Sequence, residues 1–104
     1  MEIDADTLPV VNDEAGRQFE IEVDGEVAFL QYRIEGSTII YPHTVVPRAL
    51  EHHGLAARLA HYALEFARER SLAVVPICPY VRAYFERHPE HADLVSPTYR
   101  HGDI

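Results

Sequence analysis

The order of hydrophobic periods predicts an α+β domain: three strands, a helix, a fourth strand and a second helix, with helices covering a mostly antiparallel sheet that contains one parallel pair. Three observations predict it. Between residues 17 and 46, alternating and β-branched runs are separated by Asp24-Gly25 and Glu35-Gly36. From Leu55 to about Arg70 the period lengthens to that of an amphipathic helix. Beyond it, a short apolar run at 72–77 precedes a second helical stripe that Pro89 ends.

Residues 1–16 hold five acids with Pro9, Asn12 and Gly16, show no sustained period, and read as a polar lead-in whose order depends on docking. The domain proper spans 17–99. In its first strand Phe19, Ile21 and Val23 alternate with Gln18, Glu20 and Glu22, which is the pattern of a half-buried strand. Asp24-Gly25 is a hairpin turn signal. In the second strand, Ala28, Leu30, Tyr32 and Ile34 oppose Val27, Phe29 and Gln31. Glu35-Gly36 turns the chain into STIIYPHTVV, where Pro42 cannot donate a ladder hydrogen bond and so belongs at an edge or a bulge. The first helix carries Leu55, Leu59, Tyr62 and Phe66 on one stripe, with Arg58, His61, Glu65, Arg68 and Glu69 away from it. LAVVPI at 72–77 reads as a strand buried on both faces, and the second helix gathers Val81, Tyr84, Phe85 and His88 on one side. The stretch from Ser96 to Ile104 is polar and reads as mobile, with 100–104 as the tail. A strand-helix-strand unit makes the third and fourth strands parallel and the crossover right-handed.

Composition excludes several function classes. The chain has 104 residues and a formal net charge of −8, which disfavours broad attraction to nucleic acid or anionic membrane. All nine basic residues are Arg, so chemistry that needs a lysine amine is absent. Eleven acids and three Arg lie in residues 1–52, while 53–104 hold six of each, so the anionic part of a ligand is expected on the second half. The single cysteine forms no intrachain disulfide, and the chain shows neither a signal-peptide pattern nor a membrane-spanning run, which makes the cytoplasm the expected compartment. A helix start beside the strand ends makes an anion site, with Arg48, His52, His53 and Arg58 within a turn or so of it; phosphate is the candidate ligand. Gly54 in that first turn suggests close approach of another backbone or a ligand. His88, His91 and His101 lack a framework with metal spacing, so no metal is expected.

The segment VVPRALEHHGLAARL resembles the acyl-CoA pyrophosphate loop of the GNAT N-acetyltransferase superfamily, whose pattern is Arg or Gln, two residues, Gly, one residue, then Gly or Ala. Here Glu51-His52-His53-Gly54-Leu55-Ala56 matches at Gly54 and Ala56, while Glu51 replaces the Arg or Gln and His52 a frequent Gly. With the segments Tyr41-Pro42-His43-Thr44-Val45-Val46-Pro47 and Cys78 to Glu90, the stretch from Arg17 to Tyr99 resembles the small single-domain branch of that superfamily. The resemblance implies a minimal GNAT-like fold and an acetyl-CoA or CoA site. In that site the backbone of Thr44, Val45 and Val46 pairs with pantetheine amides, and Glu51, His52, His53, Gly54, Leu55 and Ala56 hold the pyrophosphate.

Three residues are candidates for the chemistry, each with a structural alternative. Cys78 precedes Pro79 at the cap of the second helix, where a helix N-terminus favours a thiolate; it is either a nucleophile beside the thioester or a small buried hydrophobe. Larger GNAT enzymes often carry Asn at that place and, seven residues on, a Tyr that protonates the leaving thiolate. The seventh residue here is Phe85, and Tyr84 serves as the acid only if the helix starts in a shifted register; otherwise it is core. His43 precedes the strand end that faces the thioester, as a base for an incoming amine or as a polar residue on the solvent face.

The function this implies is transfer of acetyl from acetyl-CoA to an unidentified amine by a monomer or weak dimer, the acidic first half favouring a cationic acceptor. The alternative is a CoA-binding regulatory or interaction module with negligible turnover, supported by Glu51 and the missing aligned Tyr. A protein-interaction domain using an exposed sheet edge without ligand is a third reading, and thermal stabilisation by CoA separates it from the others.

Overall fold

A computed structural model describes residues 4–97 and Tyr99; the expected tail 100–104 lies outside these. The elements are β1 (Val11–Asp13), β2 (Gln18–Val23), β3 (Glu26–Glu35), β4 (Thr38–Val45), α1 (Leu55–Glu69), β5 (Ala73–Val75) and α2 (Pro79–Arg87), with short 3-10 turns at Ala5–Thr7, Arg48–Leu50 and Pro89–Leu94. They form one five-stranded sheet in the order β1-β2-β3-β4-β5, antiparallel except for the β4–β5 pair.

The expected elements are present, and one strand precedes them. Val11–Asp13 pairs with Gln18–Glu20 and extends the sheet by an edge strand. Three residues are too few to show a period, so this strand owes its order to docking on β2 and to Asn12 Oδ1, which accepts a hydrogen bond from Tyr32 Oη at 2.8 Å. Asp24 and Gly25 have φ of 51° and 83°, the paired left-handed residues that let a two-residue turn follow the strand twist. The alternation then sorts the sheet. Phe19, Ile21, Ala28, Leu30, Tyr32, Ile39 and Tyr41 are buried, and α1 packs on them with Leu55, Leu59 and Phe66 inward. Phe19 lies at the centre, its ring 4.7 Å from Tyr32 and 4.9 Å from both Tyr62 and Phe66. Tyr41 Oη donates to the Ala63 carbonyl at 2.7 Å, which satisfies a phenol that is otherwise wholly buried.

Two details at the β4–β5 end shape the site. The β3–β4 register shifts between Gln31 and Arg33, so Tyr41 and Pro42 together face Tyr32: Pro42 sits in a bulge, as its missing N–H requires. The β4–β5 ladder covers only Thr38–Ile40. Beyond it the Tyr41 carbonyl accepts the Cys78 amide at 2.8 Å, and His43, Thr44 and Val45 of β4 keep β3 as their only strand neighbour among the described residues.

Two expectations need correction. The run at 72–77 yields a strand of three residues, in which Val74 is wholly buried while Ala73 and Val75 are half-buried, because β5 ends the ladder order. The stretch from Ser96 onward begins as packed chain: Ser96 is buried, its amide donates to the Val74 carbonyl at 2.8 Å, and Val95 bridges Val74 in parallel.

Candidate functional site

The start of α1 organises the site. Gly54 is its N-cap with φ 78° and ψ 15°, and no side chain caps the helix. An α-helix begins with amides that have no intrahelical acceptor, so the first turn presents free N–H donors and the positive end of the dipole. His52, two residues earlier, is also left-handed, with φ 69°. The backbone around Gly54 therefore turns sharply before the helix. A Cβ on Gly54 would meet nothing closer than Ala5 Cβ at 3.9 Å, so glycine is favoured there by φ and not by space.

A groove of about 360 Å3 opens on one side of this turn. Of the residues expected at a cofactor, Val46, Glu51, His52, Gly54, Leu55 and Ala56 line it, joined by Leu50 and Tyr80. It continues into a space of about 200 Å3 between the helices, where Tyr80, Tyr84 and Arg87 stand opposite Gly54, Ala56 and Ala57. On the other side of Gly54, a cavity of about 710 Å3 is lined by His53, Arg58, His61 and Tyr84 with Asp4 and Asp6. Gly54 borders all three spaces. Tyr80, 53% exposed, joins the first two.

The three chemistry candidates lie in different surroundings. Cys78 is 1% exposed and caps α2 through its backbone, its carbonyl accepting from Arg82 N at 3.0 Å. Its sulfur lies 2.9 Å from Thr44 Oγ, so the structure brings these two expected residues together across the bulge. Val45 is half-buried and stands opposite Phe29. His43 is exposed, opposite Gln31 and on the other sheet face from Thr44. Tyr84 belongs to the α1–α2 seam. Its hydroxyl is 3.0 Å from His61 Nδ1, and its ring stacks on His88 at 4.1 Å. Burial, with help from Glu90 and Glu65, raises its pKa above the usual phenol value, so this hydroxyl keeps its proton near neutrality. Helix α2 begins at Pro79, without the shifted register that would turn Tyr84 into the leaving-group acid.

Glu51 faces the groove beside His52, whose Nε2 lies 3.9 Å from the Glu51 carboxylate with both side chains exposed. Positive charge enters from Arg87 on α2. Tyr80, Tyr84 and Arg87 fall at i, i+4 and i+7, a spacing that puts them on one helix face and was readable in the sequence. His61 carried no comparable signal, because its partner is 23 residues away. Among the described residues no group of three or more His, Cys, Asp or Glu is placed to hold a metal ion, and no helix is long and apolar enough to cross a membrane.

Comparison with known proteins bears on the family and the fold. The family described as GCN5-related N-acetyl-transferase matches residues 18–94. Protein NATD1 of Mus musculus is 35% identical over 85 residues, covering 79% of this chain and 77% of its own. Protein NATD1 of Danio rerio is 33% identical over 93 residues, covering 85% and 84%. The solution structure of a GCN5-like protein from Staphylococcus aureus superposes with a TM-score of 0.68 at 24% identity, covering 92% of this chain and 95% of that one, which is a likeness of fold.

Proposed function

The chain belongs to the GCN5-related N-acetyltransferase family, and from that premise we propose that it transfers acetyl from acetyl-CoA to an amine. The observation that carries this reading is the uncapped, glycine-led start of α1, which opens into a groove running past β4 and Tyr80. A pyrophosphate needs convergent N–H donors and no Cβ in the way, and the first turn of α1 supplies both. Arg87 adds a cation farther along the groove. An extended amide chain needs an open strand edge, and β4 past Tyr41 has lost β5 as a partner. The residues present fit the group.

In this reading the α1 amides from Leu55 onward hold the phosphates, and the backbone of Thr44, Val45 and Val46 aligns the pantetheine. Acetyl-CoA, when bound, supplies the activated acetyl carbonyl. Backbone donors fixed by the bulge are preorganised to stabilise negative charge on a carbonyl oxygen, an effect larger in a dry groove than in water. His43, exposed at the same strand end, would accept the proton of the attacking amine as the new C–N bond forms, while the acetyl carbon–sulfur bond breaks and CoA leaves as a thiolate protonated from solvent. Burial of the Cys78 sulfur against Thr44 favours direct attack by the amine over an acetyl-cysteine intermediate. Tyr84, bound to His61, forms the wall of the groove. The acidic first half favours a cationic acceptor such as a polyamine or a Lys-rich peptide.

A second reading, a CoA-binding module with negligible turnover, is favoured by one feature: Glu51 sets a carboxylate at the groove where the family pattern has Arg or Gln. Calorimetric titration with acetyl-CoA and CoA, followed by an acetyl-transfer assay over an amine panel, separates the readings. Binding with turnover that falls about 100-fold in His43→Ala supports the enzyme with His43 as its base. Binding without turnover on any amine supports the module, and no binding at millimolar ligand removes both.

A further inference from the structure

The residues before β1 do more than lead in. Asp4–Leu8 forms a closed turn: Asp4 Oδ1 accepts the Asp6 amide at 3.1 Å, the Asp4 carbonyl accepts the Thr7 amide at 3.1 Å, and the Ala5 carbonyl accepts Leu8 N at 3.3 Å. This turn lies on the start of α1. Ala5 sits against Gly54, and Ala5 and Leu8 pack on the core. Two carboxylates, Asp4 and Asp6, thereby wall the cavity on one side of the helix N-terminus.

The same turn occupies a cation. Arg58 is the only Arg in the first two turns of α1, and its Nη2 reaches the Leu8 carbonyl at 3.5 Å, the long limit of a hydrogen bond. Its Nε is buried without a partner. A buried guanidinium N–H left unpaired is costly, so the present arrangement under-uses Arg58. The segment therefore puts two negative charges beside a phosphate site and holds weakly the one guanidinium best placed to serve it.

We propose that Asp4–Leu8 is an autoinhibitory strap over the start of α1, walling the cavity across Gly54 from the groove, and is displaced when a polyanionic nucleotide such as CoA binds at that turn and takes over Arg58. This rests on the reading of the α1 start as the phosphate end. Opening the strap removes carboxylate repulsion and gives the orphaned Nε an acceptor, while costing the Ala5 and Leu8 packing. Affinity for phosphorylated ligands is thus held below what the groove alone would reach.

The test uses the full chain and the double variant Asp4→Asn, Asp6→Asn. Asn still accepts the Asp6 amide, so the turn is kept while its charge is removed. CoA and pantetheine, which lacks phosphate, are titrated calorimetrically at low and high salt. The strap predicts CoA binding tighter by about 3- to 10-fold in the double variant at low salt, a gain that shrinks at high salt, with pantetheine unchanged. Adding Arg58→Gln to the double variant should then weaken CoA. Equal CoA affinity in wild type and double variant overturns the strap and leaves the proposed function standing. Equal tightening of pantetheine also overturns it, since the effect would not lie at the phosphates. CoA binding to neither protein overturns the strap together with the phosphate-end reading.

Discussion

At the scale of single residues, Gly54 concentrates most of the site's demands. Its φ of 78° disfavours a side chain on conformational grounds, although the space around it is open. A left-handed non-glycine residue costs about 1–2 kcal/mol, with a β-branched one at the upper end. Gly54→Val should therefore lower stability by about that amount in chemical denaturation and also weaken acetyl-CoA, about tenfold for each 1.4 kcal/mol of binding lost. The left-handed dihedral thus makes the cost to the fold comparable with the cost to the ligand. Unchanged affinity would show that the α1 start does not hold phosphate. Gly54 was legible because a positive φ is a local property that selects its residue type. Arg58, equally close to that turn, revealed its partner Leu8 only in the folded chain, 50 residues distant.

At the scale of elements, the junction of β4 with α2 carries the site. Pro42 removes one ladder donor and creates the bulge, and Pro79 starts α2 without needing a donor. Between them the Tyr41 carbonyl accepts the Cys78 amide, and Thr44 Oγ meets Cys78 Sγ. Cys78→Ala should leave that amide bond in place and lose the sulfur contact, lowering stability by about 1 kcal/mol. Turnover should stay close to wild type, with no acetylated cysteine in mass spectrometry of the wild-type protein; abolished turnover would instead make Cys78 the nucleophile. Both prolines and the cysteine were readable in order along the chain. Their meeting was not, since it depends on β4 and β5 being parallel neighbours and on where their ladder stops. On the other side of α1, the fork of Arg68 holds Asp93 through two bonds of 3.1 Å and keeps its carboxyl below the usual range, which ties the 3-10 turn after α2 to α1. That pair is exposed, so its part in stability is small.

At the scale of the whole molecule, an aromatic core built around Phe19 joins the sheet to α1, and its phenols respond to pH as a group. Burial raises Tyr41 strongly, and it also raises Tyr32 and Tyr84. Below the unfolded phenol value of about 10, folded and unfolded chains are both protonated there and these groups leave stability level. As pH rises past that value the unfolded phenols ionise while the folded ones keep their protons, so stability falls. Tyr41→Phe should lower stability by about 1 kcal/mol at neutral pH through loss of the bond to Ala63. It should also make the alkaline decline shallower in denaturation curves collected above pH 10. A decline as steep as wild type would mean that other groups drive alkaline unfolding.

The sequence by itself determined what depends on neighbours within a few positions. That covers the order of strands and helices, the turn at Asp24-Gly25, the inward stripe of α1, the edge or bulge that Pro42 demands and the glycine at the start of α1. These follow from hydrophobic period and backbone chemistry, which act over one turn or one pleat. Tertiary structure alone decided which of those residues meet. Thr44 and Cys78 are 34 positions apart, and His61 and Tyr84 are 23 apart. Their contacts exist because one crossover sets β5 beside β4 and lays α2 against α1. Edge strand β1 and the acidic turn before it belong to the same class: too short to show a period, they take their places only on a surface that the rest of the chain has already built.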